Sequence, residues 1–99
     1  MTFVDWSDPA EMLGLLAEYV ADARLEAAAE PSRARRLEAL LDDLTRVSRL
    51  SEEGRPDEAL EGLRRVHASH ADDLAADPVL RHLEDCLEEL ERIRAEHEV

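Results

Sequence analysis

The sequence predicts an all-α protein, a compact bundle of four short antiparallel helices. Three observations carry this. Ala, Leu, Glu, Asp and Arg dominate the 99 residues, and β-branched and aromatic residues that would support a sheet are few. Apolar residues recur at spacings of three and four, which puts one side chain per turn on a single helical face. Four prolines and Gly54 divide that pattern into segments of similar length.

The first helix is expected over residues 9–29. Asp8 is a cap residue, Pro9 fits the first helical position, and Glu11 follows three residues after the cap. The apolar stripe is Leu13, Leu16, Val20, Ala23 and Ala27. Pro31 is expected to break the chain, because proline disfavours helix in the residue before it. If Pro31 only kinks the helix, three helices with one long arm result, a shape that favours a dimer. Arg33, Arg35 and Arg36 suit the C-terminus of the first helix better than the N-terminus of the second. Neutralisation of Glu26 and Glu30 accounts for them, with an anion grip as the alternative.

The second helix, 33–53, carries the stripe Leu37, Leu41, Leu44 and Val47 with Leu40 and Leu50 beside it, and Gly54 supplies a left-handed cap. Pro56 and Asp57 open the third helix, 56–75, with the stripe Leu60, Leu63, His67, His70 and Leu74. Asp77 and Pro78 open the fourth, 78–97, with Val79, Leu83, Leu87, Leu90 and Ile93. Connections of two to three residues force neighbouring helices antiparallel. Residues 1–99 read as a single domain, with 1–7 a short arm.

The stretch Gly54-Arg55-Pro56-Asp57-Glu58-Ala59-Leu60 resembles the turn of a tetratricopeptide repeat, in which glycine shortly precedes an acidic-Ala pair that opens the second helix of a hairpin. Val47, Leu50, Leu63 and Val66 fall near that family's packing positions. The resemblance covers one degenerate hairpin, about residues 40–75, and the family's aromatic positions are leucine here. It implies a concave surface that takes a peptide or helix. A generic helical hairpin with the same turn chemistry also fits these residues.

The net charge of −13 repels nucleic acid and anionic lipid and suits a basic partner or simple solubility. No apolar run approaches a membrane span, and no signal peptide is visible, so a cytoplasmic location is expected. All twelve basic residues are arginine, and Lys, Asn and Gln are missing, which points to a GC-rich bacterial genome. One cysteine, Cys86, allows no intrachain disulfide.

No nucleophile turn, phosphate-cradling glycine loop or Glu-x-x-His pair occurs, so the chain is not expected to be an enzyme or to carry a cofactor. One cluster bears on metal chemistry. Antiparallel pairing of the third and fourth helices sets His67 level with Cys86 and His70 level with Leu83, beside His82. Those four side chains are the candidate zinc or metal-sensing set. The competing reading makes the histidines satisfied structural groups, with His82 facing solvent, and Cys86 a small hydrophobe.

The function ranked first is a protein–protein interaction module, binding another protein or itself, a homodimer being one such form. Phe3 and Trp6 in the arm and Leu25, which points opposite Leu16, are the candidate interface residues. Trp6 folded back over the bundle end and Leu25 as ordinary exposed surface are the bland alternatives.

Overall fold

The computed structural model describes residues 8–97. Four helices follow one another: α1 Asp8–Glu26, α2 Pro31–Glu52, α3 Pro56–His70 and α4 Pro78–His97. Each packs on its neighbour in sequence, and α4 returns to pack on α1, closing a ring. Cross-helix pairs fix the directions. Arg64 reaches Glu91, His67 reaches Glu84 and Arg94 reaches Asp57, so α3 and α4 run antiparallel near the expected register.

Leucines fill the ring. Leu13, Leu37, Leu40, Leu44, Leu60, Leu63, Leu83 and Leu90 are all at most 1 % exposed, and every helix contributes. Burial at roughly 25 cal/mol per Å2 of apolar surface is the main force closing the bundle. On α3 the buried stripe is turned slightly from expectation: Val66 takes the core position, while His67 is half-buried and leans to Glu84.

Pro31 separates two helices. Residues 27–29 form a turn, Glu30 N–H donates to the Ala27 carbonyl at 2.8 Å, and Pro31 occupies the first turn of α2. The three arginines therefore do sit at the N-terminus of α2, against the helix dipole. Arg33 is held there by both carboxylate oxygens of Asp77, at 2.8 and 3.1 Å, and Arg36 donates to Ser32 Oγ at 2.9 Å. The Asp8 side chain and residues 1–7 lie outside the described side chains.

Helix α3 ends at His70, five residues before the expected boundary, and residues 71–77 link it to α4. Asp72 and Asp73 at this end oppose the helix dipole, which favours early termination. Leu74 remains fully buried within the linking turns, so the apolar stripe outlasts the helix. Asp77 then caps α4: its Oδ1 accepts the Val79 N–H at 3.1 Å.

Between α2 and α3 the chain turns as the sequence predicts. Gly54 has φ +79, its N–H donates to the Ser51 carbonyl, and the Arg55 N–H donates to the Leu50 carbonyl. That pair of bonds is the Schellman closure, which needs a left-handed residue. Alanine at position 54 meets no steric neighbour but must adopt that conformation. Gly54→Ala is therefore expected to lower stability by about 1 kcal/mol, read as a reduced urea midpoint with an unchanged slope.

Candidate functional site

Three large apolar side chains are exposed among the described residues: Leu15 at 61 %, Tyr19 at 37 % and Leu25 at 68 %. All three belong to α1. The other helices concentrate their apolar residues on the core face, whereas those of α1 are spread around its circumference. A helix apolar on more than one face has more than one surface to cover.

Leu15 and Tyr19 stand over a shallow groove between α1 and α4. Met12, Leu16, His82 and Cys86 complete its lining, and its volume is about 240 Å3. The Tyr19 and His82 rings meet in a tilted contact, with centroids 4.1 Å apart and planes inclined by 39°. Cys86 is buried in its wall, and burial pushes the thiol up to about 11, with Glu89 adding to the effect. The thiol therefore stays protonated at neutral pH and presents an apolar, unreactive surface. Glu11, Glu18, Asp22 and Asp85 are exposed and flank the groove on both helices.

The candidate metal set is divided among three places. His67 Nε2 lies 3.0 Å from Glu84 on the α3–α4 face. His70 is buried and lies 2.7 Å from Asp43 of α2. His82 and Cys86 face α1. Each histidine has its own neighbour, and among the described residues no three His, Cys, Asp or Glu side chains are grouped as a metal ion would need. A helical register fixes which residues are level, but not which way a ring turns. His67 and His82 leave α3 and α4 on opposite sides of their contact.

Leu25 is exposed as expected, but it is not part of the groove. Phe3 and Trp6 lie outside the described residues. Leu15 and Met12 were missed from the sequence because they sit off the stripe of Leu13, Leu16 and Val20. The detectable signal was Leu15 itself, a leucine one position from that stripe with no partner to bury it. Tyr19 carried the companion signal, one turn further along the same face.

Where α2 begins beside the start of α4, Arg33 and Asp77 form the best-shielded ion pair among the described residues, with side chains 25 % and 7 % exposed. The Arg33 guanidinium, helped by the Val79 N–H, holds the Asp77 carboxyl below the ordinary aspartate range. This pair ties α2 to the start of α4 and is satisfied internally, so it offers little to a ligand.

No helix among the described residues is long and apolar enough to cross a membrane. No family model, curated protein or solved structure matches the chain.

Proposed function

We propose that this chain is a protein–protein interaction module whose binding element is α1. The observation that carries the reading is the confinement of exposed Leu15, Tyr19 and Leu25 to that one helix. Scattered single leucines on a surface need no explanation. Leu15 and Tyr19, however, are one turn apart and continuous with an apolar groove, and tyrosine is favoured in binding hot spots. Binding rather than catalysis fits a site whose thiol is protonated and whose one imidazole lies tilted against a phenol ring.

The tetratricopeptide likeness supports the same class of function. Ala59 is buried, and a Cβ on Gly62 would stand 3.1 Å from Val47, so α2 and α3 approach closely as in such hairpins. It carries less weight, because α4 closes on α1 where a repeat stack stays open and concave.

If α1 is exposed for a partner, its outward leucines are surplus to the fold. The double variant Leu15→Gln with Leu25→Gln keeps helix propensity nearly constant. It is expected to unfold within about 1 kcal/mol of the parent in a urea titration, as surface substitutions do. A loss above about 2 kcal/mol would mean that these residues serve the bundle itself, and the proposal would fall.

A further inference from the structure

We infer that the α1–α4 groove receives an amphipathic helix of another protein whose apolar ridge is flanked by arginine or lysine. This rests on the interaction reading above and adds the chemistry of the partner. Its geometry comes from the groove. Met12 and Tyr19 are seven residues apart on α1, about 10 Å of helix, which matches two turns of a docked helix. Leu15 and Tyr19, one turn apart, form one lip, and His82 and Cys86, also one turn apart, form the opposite wall.

The charge comes from what surrounds those residues. Glu11, Leu15, Glu18 and Asp22 recur at spacings of four, three and four, so acids and the apolar lip share one exposed face of α1. Asp85 lies on the α4 side. These four acids form no ion pair with any described residue. The single arginine of α1, Arg24, is committed to Glu38 of α2, and Arg92 of α4 is committed to Glu89 and Glu96. Arg81, one turn before Asp85, is the cation that stands on the α4 side. The groove is thus apolar at its floor and anionic along its α1 rim, where Glu11, Glu18 and Asp22 stand.

A second copy of the chain suits this surface poorly. A two-fold dimer through α1 would bring Glu11, Glu18 and Asp22 of one copy near the same acids of the other, and each copy carries −13. An apolar helix edged with cations satisfies both the floor and the rim.

The test uses the full chain, isotope-labelled, and three synthetic 18-residue peptides. One is a leucine–arginine helix with all leucines on one face. The second has the same composition with the leucines scattered. The third replaces arginine by glutamate. Amide shifts and fluorescence anisotropy are read at 150 mM salt. The facial leucine–arginine peptide is expected to bind at least tenfold tighter than the scattered one. Its shifts should centre on Met12, Leu15, Tyr19 and His82, and the glutamate peptide should not bind.

The variant Leu15→Ser with Tyr19→Ser should lose tenfold or more in affinity, while Ala39→Ser, at an exposed position of α2 outside the groove, should leave it unchanged. Equal binding of facial and scattered peptides, or shifts spread over the acidic faces of α2 to α4, would overturn the inference by reducing it to bulk charge. Absence of binding by the facial peptide would also overturn it, including the case in which the chain self-associates and Leu25→Ser abolishes that association. That last outcome would leave the interaction reading standing with a different surface, so the two failures are distinguishable.

Discussion

Replacing Leu44 by alanine is expected to cost about 3 to 4 kcal/mol, as for a leucine buried at the centre of a helical core. Leu44 is fully buried at the middle of α2, the helix that packs on both α1 and α3. Truncation removes the transfer free energy of three carbons and leaves a cavity that two neighbouring helices must collapse to fill. A domain of this size has about 5 to 15 kcal/mol in total, so the variant sits near the edge of folding. Equilibrium urea denaturation followed by helical ellipticity reads the change directly. A loss under 1 kcal/mol would mean that α2 is not the shared wall of the core.

Asp77→Ala is expected to cost about 2 to 3 kcal/mol through two separate losses. The Val79 N–H loses its cap, and Arg33 loses both oxygens of its partner. The same carboxylate gives a pH signature. Its folded pKa lies below the usual value, first because of the Arg33 hydrogen bond. Its stabilisation is therefore complete above the unfolded aspartate pKa, near 4, and is lost as the pH falls through the lower folded value. The parent should weaken below about pH 4 more steeply than the Asp77→Ala variant. Parallel acid profiles for the two proteins would show that the pair contributes nothing.

Much of this architecture was readable from punctuation and spacing. Pro56, Pro78, Gly54 and Asp77 each act as elementary turn and cap chemistry dictates, so the starts of α3 and α4 fall where expected. The C-termini were less readable. Leu74 kept the helical apolar spacing inside a turn segment, and Ala27 to Ala29 kept good helix formers past the end of α1, so periodicity overran both boundaries.

The histidine cluster shows a different limit. Register along α3 and α4 was close, but the side on which each imidazole leaves its helix depends on rotation about the axis. Asp43, Glu84 and Tyr19 are the neighbours that rotation selects. The α1–α4 groove was missed for a related reason. Leu15 reads as a stray residue until α4 is known to return beside α1.

The most direct test of the interaction reading is photo-crosslinking in the native host, with a benzophenone amino acid at position 15 or at position 49. Arg49 is exposed on α2, away from the groove, and serves as the reference. The account predicts one discrete adduct from position 15 and none from position 49, with the position 15 adduct abolished by Tyr19→Ser. No adduct from position 15, or the same adducts from both positions, would contradict it.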